Sequence, residues 1–402
     1  MNYSKEEVLQ YVAEEDVKFI RLAFCDVFGC QKNISIMPEE LPRAFEYGIA
    51  FDASAIAGFG DEARSDLFLH PEPETLTPLP WRPEHGRVVR MLCHITYPDG
   101  TPFECDTRSL LKKAVSDAAA AGYTFRFGAE QEFYLFELDE NNEKTNIPYD
   151  KAGYMDIAPA DKGENIRREI CLTLEQMGIR PESSHHEEGP GQNEIDFRYS
   201  DAVGAADNAL TFQTVVRTVA RRNGLFADFS PKPIPDKPGN GFHINFSVKS
   251  EKESDFTAMI AGVLAHAEEM TAFFNPTENS YDRLGFNKAP RYVSWSHENR
   301  SQLVRVPAAV GEYKRAELRS PDPTANPYLA FALMIYAGLD GITSGAALPK
   351  PADINLFRAD ADTLKQFKQL PGNIAAAREK ARESAFIQAH IPAKILAIYC
   401  GK

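Results

Sequence analysis

Two glutamates lie two residues apart in an apolar segment, residues 128–136, with the sequence Gly-Ala-Glu-Gln-Glu-Phe-Tyr-Leu-Phe. The flanking aromatic and aliphatic residues predict a strand, so Glu130 and Glu132 face the same side of it. Carboxylates placed in this way repel each other unless a cation lies between them. The segment therefore predicts either a cation site or the exposed polar edge of an amphipathic strand.

A second cluster of acidic and imidazole side chains occupies residues 184–197, Ser-His-His-Glu-Glu-Gly-Pro-Gly-Gln-Asn-Glu-Ile-Asp-Phe. The Gly-Pro-Gly turn followed by a strand would bring Glu187 and Glu194 toward each other. A group of buried glutamates needs metal or arginine partners, because one buried carboxylate is already costly. The alternative is a solvated charged loop.

Two further segments carry polar side chains at strand spacing. A glycine-rich bend at residues 239–241 enters a strand on which His243 and Asn245 share a face, although a lone histidine of this kind is more often structural. Arginine is the side chain best suited to bidentate contact with phosphates and carboxylates. Residues 299–319 supply a set of arginines around one glutamate: Arg300, Arg305, Arg315, Arg319 and Glu317.

Together these donors are rich in oxygen and poor in sulfur, which favours Mg²⁺ or Mn²⁺ over zinc. Arginines beside such ions indicate phosphoryl chemistry, in which positioning and charge neutralisation do most of the catalysis. The sequence has no P-loop, no protein-kinase signature set and no G-x-S-x-G motif. Residue spacing alone leaves both a ligase and a phosphoesterase open.

The elements that must position these residues fall into two parts, which we place at residues 1–100 and 101–402. The first part is a small α/β unit, with a helix at 4–15 and strands at 17–24 and 87–97. The second part is α+β or mixed α/β and ends in a helical tail at 359–399. Its predicted helices are 108–121, 163–178, 205–223, 254–273 and 325–340, and its predicted strands are 126–138, 194–199, 242–248, 303–306 and 315–319.

The chain of 402 residues has 44 Lys and Arg against 58 Asp and Glu, a net charge of −14. This acidic balance disfavours a nucleic-acid partner, because phosphate backbones attract clustered basic residues. The amino-terminal segment is acidic and amphipathic, and apolar stretches are too short to predict a membrane span. The six cysteines form no C-x-x-C pair, which is typical of reduced thiols and predicts a cytoplasmic protein.

Several segments resemble the signature blocks of type I bacterial glutamine synthetase: HHEEGPGQNEIDFRY, NPTENSYDRL, NRSQLVRVP and RAELRSPDPTANPYLAFALMIYAGLDGI. The resemblance extends from about residue 17 to residue 345. It implies an α+β fold, with a small N-terminal β-grasp domain and a larger glutamine synthetase/guanido-kinase-like catalytic domain. It also implies a homo-oligomer, a dodecamer of two hexameric rings with active sites between neighbouring subunits.

The family chemistry implied by this resemblance is glutamine biosynthesis in nitrogen metabolism, with ATP as co-substrate and two or more Mg²⁺ or Mn²⁺ ions per subunit. Glutamate receives the terminal phosphoryl group of ATP, and ammonia or an amine attacks the γ-glutamyl phosphate. The residues that match the family's metal ligands are Glu132, Glu187 and Glu194 for one ion and Glu130, His243 and Glu317 for the other. Further matches are Gly239, Arg283 and Arg319 for glutamate, Tyr154 and Asp52 for ammonium, Arg300, Arg305 and Arg315 for the phosphates, and Glu182 and Ser247 for the nucleotide.

The departures from the family pattern lie on the ammonium side. The segment 285–290 is one residue shorter than the family's flap and has Lys288 where a glutamate that takes a proton from ammonium is expected. A cation there repels ammonium and cannot act as that base. The family's D-G-S-S is Asp52-Ala53-Ser54-Ala55 here, so a serine hydroxyl near the ammonium pocket is missing. Pro238 replaces the asparagine that the family has before Gly239 in its glutamate-binding loop, and the chain is shorter than is usual.

The phosphoryl half of the predicted site is thus intact and the amine half is altered. Three hypotheses follow, and we rank them in this order. The first is glutamine formation from glutamate, ammonia and ATP; the second is γ-glutamyl transfer to an organic amine such as a polyamine or alkylamine. The third, a non-catalytic regulatory relative, is disfavoured because drift would erode buried metal ligands and arginines that cost folding free energy.

Overall fold

A six-stranded sheet near the amino terminus and a ten-stranded sheet farther along the chain organise the fold. The computed structural model describes residues 3–60, 63–82, 85–309, 311 and 314–401. The chain divides into one unit of Met1–Leu110 with Leu172–Ile179 and a second unit of Leu111–Cys171 with Arg180–Lys402.

The first sheet contains β1 paired in parallel with β6, and its other pairs are antiparallel. Its strand order is β2–β1–β6–β4–β3, with β5 added to β6. Ser4 and Glu7 form a capping box that begins the first helix, as the polar opening of the sequence predicts. The elements are α1 (Lys5–Glu14), β1 (Val17–Cys25), β2 (Gln31–Ile36), a 3₁₀ turn (Pro38–Glu40), α2 (Leu41–Tyr47), β3 (Ile49–Asp52), β4 (Asp66–Pro71), a 3₁₀ turn (Pro73–Thr75), β5 (Thr77–Pro78) and β6 (Arg87–Thr96).

The rest of the chain alternates helices with the strands of the second sheet. The elements, in chain order, are α3 (Thr107–Ala120), β7 (Thr124–Leu138), β8 (Lys144–Pro148), α4 (Glu164–Gln176), β9 (Pro181–His186), β10 (Gln192–Phe197), β11 (Ser200–Asp201), α5 (Ala202–Arg222), β12 (Leu225–Asp228), β13 (Phe242–Lys249), α6 (Glu253–Ala265), α7 (Ala267–Phe274), α8 (Glu278–Arg283), β14 (Trp295–His297), β15 (Val304–Val306), β16 (Ala316–Leu318), α9 (Pro327–Ser344), α10 (Ala361–Leu364), α11 (Ile374–Glu383), α12 (Ala385–His390) and α13 (Ala393–Cys400). The strand order is β14–β15–β16–β13–β7–β10–β9, and β8, β11 and β12 also pair with β7.

Strand β7 has one face on a helical layer and the other on a polar site. Phe127 stacks on Phe331 of α9 at 4.5 Å between ring centroids, and Phe133 contacts Phe212 of α5 at 6.1 Å. Successive side chains of a strand point to opposite faces. Glu130 and the other even-numbered residues of β7 therefore point away from these helices, on the opposite side of the sheet.

Helices α6 and α9 approach each other backbone to backbone. A Cβ added at Gly262 would lie 2.0 Å from the carbonyl oxygen of Ala337, and one added at Gly341 would lie 2.1 Å from that of Ala258. Only glycine fits at these two positions, so the sequence fixes how closely the two helices pack.

The prediction of one helix at 254–273 is wrong in one respect, because the chain forms two helices, α6 and α7, divided at His266. His266 has φ −98° and ψ 6°, outside the helical region. Its ring stacks on Phe386 and lies 2.9 Å from Asp340 Oδ2 and 3.1 Å from Glu269 Oε2. These tertiary contacts, which have no local signal, outweigh the helical pattern. Within the described residues, none of the helices combines the length and apolar character needed to cross a membrane.

Candidate active site

Strand pairing places the acidic side chains of three strands next to one another. Across β7 and β10, Glu132 pairs with Glu194 and Glu130 pairs with Asp196. Across β7 and β13, His243 pairs with Glu130. Residues directly opposite on neighbouring strands share a face, and like charges in this position are destabilising. The sheet therefore concentrates negative charge that needs a cation.

One donor group consists of Glu130, His243 and Glu317, whose nearest ligand atoms all lie within 4.8 Å of one another. His243 Nδ1 is 3.6 Å from Glu130 Oε2 and 3.7 Å from Glu317 Oε1, too far for hydrogen bonds. Burial, and next the charge of Arg319, holds the pKa of His243 well below its usual range. The imidazole is therefore neutral and keeps a lone pair for a metal ion.

The second donor group contains Glu187 and Glu194 together with His185, again within 4.8 Å. Glu132, the third residue predicted for this ion, is not among the residues of this group, and its Oε2 accepts from the backbone N–H of Gly241 at 2.8 Å and from Gln192 Nε2 at 3.1 Å. Burial, and next the charge of Glu187, raises the pKa of Glu132 to about 7. Burial and neighbouring carboxylates also raise the pKa of Glu194 well above its usual value. The spacing of this group confirms the predicted approach of Glu187 to Glu194 across the Gly-Pro-Gly turn, which joins β9 to β10.

Asp196 joins the two groups, since its carboxylate lies within 4.8 Å of those of Glu130 and Glu194. Its pKa rises to about 6, first because of burial and next because of Glu130. Oδ1 of Asp196 is buried and has no hydrogen-bond partner, whereas its other oxygen accepts from Ser183 Oγ.

These residues fit divalent cations. Carboxylates and neutral imidazoles are donors that Mg²⁺ and Mn²⁺ accept, and the raised pKa values show what the carboxylates cost when no cation compensates them. Donors that share one Mg²⁺ at about 2.1 Å stand roughly 3–4 Å apart. The spacings of 3.6 and 3.7 Å around His243 agree with this requirement.

Arginines neutralise the buried Glu317 from two sides. Arg305 Nη1 donates to Glu317 Oε2 at 2.6 Å, and Arg319 Nη1 donates to Oε1. Burial, and next the charge of Glu130, act to raise the pKa of Glu317, but the charges of Arg319 and Arg305 outweigh them and lower the pKa. The Nε atoms of Arg305 and Arg319 are buried and have no hydrogen-bond partner, so both guanidinium groups retain donors for a bound anion.

Two adjoining cavities in the second unit contain most of the predicted site residues. The larger, of about 690 Å³, is lined by Glu130, Glu132, Tyr154, Glu187, Glu194, Gly239, His243, Arg283, Arg300, Arg305, Arg315 and Arg319, among others. The smaller, of about 340 Å³, has Glu182 and Ser247 in a wall with the aromatic rings of Phe197, Tyr199 and Phe246. Both cavities are lined by Glu130, Ser183, Asp196 and Arg315.

The glycine-rich bend lies against Arg283. A Cβ at Gly239 would lie 2.3 Å from the Pro231 carbonyl oxygen and 2.9 Å from Arg283 Cγ, so only glycine fits there. The carbonyl oxygen of Pro238 accepts from the Tyr134 hydroxyl at 2.6 Å. Arg283 in turn donates to the carbonyl oxygens of Ser320 (2.7 Å) and Arg319 (3.2 Å).

A buried polar cluster holds the hairpin that carries Glu187. His186 Nε2 lies 2.9 Å from Asp150 Oδ1, and its Nδ1 lies 2.6 Å from the carbonyl oxygen of Glu187. Burial acts to lower the pKa of His186, but these acceptors outweigh it and raise the pKa. Asp150 also accepts from the Gly191 backbone N–H at 2.9 Å, which fixes the end of the turn.

The flap segment places Lys288 at the wall of the larger cavity. Lys288 forms an ion pair with Glu188, and its Nζ lies 5.5 Å from the centre of the Tyr154 ring. Lys288 and Glu188 therefore form a charged pair on the wall of this cavity.

Sequence models of two glutamine synthetase domains match the chain: the β-grasp domain over residues 16–98 and the catalytic domain over residues 104–401. A glutamine synthetase from Clostridium saccharobutylicum is 45% identical over 399 residues, covering 95% of this chain and 90% of the relative. A glutamine synthetase from Methanosarcina mazei is 42% identical over 417 residues, covering 99% and 93%.

Solved structures agree with this result. A structure described as a GmaS–ADP complex has a TM-score of 0.88 at 28% identity, covering 99% of this chain and 94% of that one. The Plasmodium falciparum glutamine synthetase, determined by cryo-EM, has the same fold, with a TM-score of 0.85 at 22% identity over 100% and 95%. The chain belongs to the glutamine synthetase family, and the predicted fold is confirmed. It is an ATP-dependent glutamate–ammonia (or glutamate–amine) ligase, and its family implies use of a divalent metal.

Among the predicted site residues, Asp52 stands apart because it belongs to the first unit. It ends β3, and its carboxylate accepts from the backbone N–H (2.9 Å) and hydroxyl (2.6 Å) of Ser54, which lower its pKa. The sequence reasoning missed the part played by Asp196 and the partnership of Glu188 with Lys288. The sequence does carry a local signal that Asp196 shares a strand face with Glu194, because it lies two residues after it, but no local signal for its approach to Glu130.

Proposed function

We propose that the cavity of about 690 Å³ is the place where glutamate becomes its γ-amide through γ-glutamyl phosphate. The observation that carries this proposal is the pair of donor groups bridged by Asp196, with arginines on the same cavity wall. Phosphoryl transfer needs this combination of cations around the transferring group. Two Mg²⁺ ions are the proposed occupants, one at Glu132, Glu187 and Glu194 and the other at Glu130, His243 and Glu317.

The reaction has two steps. An oxygen of the glutamate γ-carboxylate attacks the γ-phosphorus of ATP, and the bond to ADP breaks with its electron pair. The nitrogen of the amine then attacks the γ-carbonyl carbon, the C–O bond breaks with its electron pair leaving on phosphate, and the nitrogen loses a proton to water. The metal ions supply charge neutralisation at the phosphate oxygens.

The remaining residues bind and orient the substrates. Arg283 and Arg319 supply guanidinium groups for the carboxylates of glutamate, with Gly239 allowing close approach of the backbone. Arg300, Arg305 and Arg315 neutralise the phosphates, and Arg300 and Arg319 act on the reacting groups. Glu182 and Ser247 contact the nucleotide in the smaller, aromatic-walled cavity. Tyr154 and Asp52 serve the ammonium side, Asp52 from a neighbouring subunit.

A second candidate, transfer to an organic amine, rests on one observation. Lys288 and Glu188 occupy the amine side of the cavity, where the family pattern has a flap glutamate. Compared with a single glutamate, a lysine–glutamate pair changes both the net charge of this cavity wall and the volume that is available to the nucleophile.

We propose the same assembly that the resemblance implies, a homododecamer of two hexameric rings in the cytoplasm. The proposed boundary between the β-grasp and catalytic domains lies at residues 100 and 101.

The test is phosphate release from ATP with glutamate and MgCl₂, comparing ammonia with methylamine, longer alkylamines and polyamines. Saturable release with ammonia, with glutamine as the product, supports the first function. Release with an organic amine alone supports the second, and no release with any amine contradicts both. Omission of glutamate is the control, because a simple ATPase would not need it.

A further inference from the structure

A third cavity, of about 560 Å³, adjoins the aromatic-walled cavity that is proposed to hold the nucleotide. It extends along the end of β13 and its connection to α6, residues 247–253, and we call it the basic cavity. The residues that line both cavities are Arg126, Tyr199, Ser247 and Lys314. A ligand in the aromatic-walled cavity can therefore extend into the basic cavity.

One face of the β7–β13 pair leads from the metal donors to the basic cavity. Glu130 lies opposite His243, and four residues earlier on β7 Arg126 lies opposite Ser247. Alternate residues of a strand share a face, so Arg126 and Glu130 lie on the same face. A strand rises about 3.3 Å per residue, which places Arg126 about 13 Å from Glu130 along the strand. An extended nucleotide whose phosphates lie at Glu130 therefore has its nucleoside end near Arg126.

The wall of the basic cavity carries an excess of positive charge. Its cationic side chains are Arg126, Lys249, Lys252 and Lys314, and its carboxylates among the described residues are Glu251 and Glu253. Lys314 Nζ lies 2.8 Å from Glu253 Oε1, whereas the other three cations form no ion pair within the described part of the chain. The chain as a whole has a net charge of −14, so this wall reverses the sign of the charge locally.

The cations nearest the nucleotide are held in place. The guanidinium carbon of Arg126 lies 5.6 Å from the centre of the Tyr199 ring, a contact that orients the guanidinium plane and leaves its N–H donors for an anion. Lys249 ends β13 opposite Thr124 of β7. Its side chain therefore continues the face that carries Arg126 and Ser247, one pair of residues farther from the metal donors.

The connection from β13 to α6 is short and fixed by Ser250. The Ser250 hydroxyl donates to Asp255 Oδ2 at 2.5 Å and accepts from the backbone N–H of Lys252 at 3.1 Å. These two bonds hold Lys252 beside Lys249 at the rim of the cavity. Fixed cations that lack carboxylate partners are typical of a site for a phosphate or carboxylate group.

We propose that the basic cavity binds an anionic group attached to the nucleoside end of an adenine nucleotide whose 5′-phosphate lies toward Glu130. ATP has no anionic group at that end, so the ligand class is distinct from the co-substrate. It comprises nucleotides with a second phosphate on the sugar or with carboxylates on the base, and such compounds exclude ATP and inhibit the enzyme. The inference rests on the proposed function, because it requires a nucleotide in the aromatic-walled cavity.

The test is calorimetric titration of the full chain in MgCl₂ with AMP, adenosine 3′,5′-bisphosphate and N6-(1,2-dicarboxyethyl)-AMP. One of the two larger compounds should bind about five- to tenfold more tightly than AMP, because it gains two or three exposed ion pairs. The compound that does so shows whether the anionic group is on the sugar or on the base. The advantage should fall below about twofold in 1 M NaCl, which screens exposed charges. The same compound should raise the KM for ATP in phosphate release at unchanged kcat.

The variants to compare are Arg126→Gln and Lys249→Gln, which remove one charge each from exposed side chains. The readout is the ratio of the Kd of AMP to that of the larger compound, because a general disturbance of the nucleotide site changes both Kd values alike. Each variant should lower this ratio about two- to threefold. Arg221→Gln is the matched control, since Arg221 lines neither cavity and donates to the Asn142 carbonyl oxygen on the surface.

The inference is overturned if neither larger compound binds more tightly than AMP, or if the advantage is the same in both variants as in the wild type. Its failure is distinguishable from failure of the proposed function. Turnover with an amine, together with equal binding of all three compounds, leaves the proposed function standing and refutes the anion site. Tighter binding that depends on Arg126 and Lys249 supports the site even if no amine supports turnover.

Discussion

Replacing Glu317 tests the buried charge cluster that the site depends on. Glu317 is fully buried on β16 and accepts from both Arg305 and Arg319. Glu317→Ala leaves these two guanidinium groups facing each other without an anion. Glu317→Gln preserves the shape and one acceptor oxygen but removes the negative charge. The two variants therefore separate the contribution to stability from the contribution to metal binding.

The expected magnitudes differ between the two variants. Removing one partner of a buried ion pair costs about 3–5 kcal/mol in free energy of unfolding, so the alanine variant should lose that much. The glutamine variant keeps part of the hydrogen bonding and should lose about 1–3 kcal/mol. Both lose an anionic donor at the Glu130–His243 group, so phosphate release should fall about 10³-fold in each.

The assay combines phosphate release at saturating MgCl₂, ATP, glutamate and ammonia with thermal unfolding of each variant. Asp362→Ala, which breaks the exposed pair with Lys365, is the control and should change neither quantity. A glutamine variant that keeps phosphate release within tenfold of the wild type would refute the assignment of Glu317 as a metal donor. An alanine variant as stable as the wild type would refute the charge argument.

Three further predictions follow from contacts and charges described above. Gly239→Ala places a Cβ 2.9 Å from Arg283 Cγ and should lower kcat/KM for glutamate about 10²-fold with the KM for ATP unchanged, measured by steady-state kinetics. Gly262→Ala forces α6 and α9 apart and should cost about 1–3 kcal/mol of stability without changing the KM values; an unchanged Tm would contradict the packing. Chelation with EDTA should lower Tm, and MgCl₂ at about 100 times its Kd should restore about 2.7 kcal/mol; no response to either would contradict the cation requirement.

The part of the site that depends on local pattern could be predicted from the sequence. Alternation along β7 places Glu130 and Glu132 on one face, and the Gly-Pro-Gly turn returns the chain so that Glu194 approaches Glu187. Both inferences need only the geometry of a strand or a hairpin. The β-grasp and catalytic domains followed from the resemblance of long segments, which carries more information than residue spacing.

The part that depends on register between distant strands could not be predicted. Asp196 joins Glu130 only because β10 pairs with β7 in one register out of several. The pair between Lys288 and Glu188 spans 100 residues of sequence. The division of the helix at His266 depends on Asp340 and Phe386, which lie far along the chain. None of these contacts has a local signal, so the structure was needed to find them.

The carboxylates proposed to bind metal lie on strands of unequal stability, because β7 is central in its sheet and β9 is at the edge. This difference affects how a bound ion would leave. Glu130 and Glu132 lie on β7, which pairs with β10 on one side and β13 on the other. Glu187 follows β9, which ends the strand order and pairs with β10 among the described residues. Edge segments open at lower free energy than central strands. Exchange with solvent of the ion proposed at Glu132, Glu187 and Glu194 should therefore begin with detachment of Glu187 at the sheet edge, while Glu132 on β7 keeps its place for the next ion.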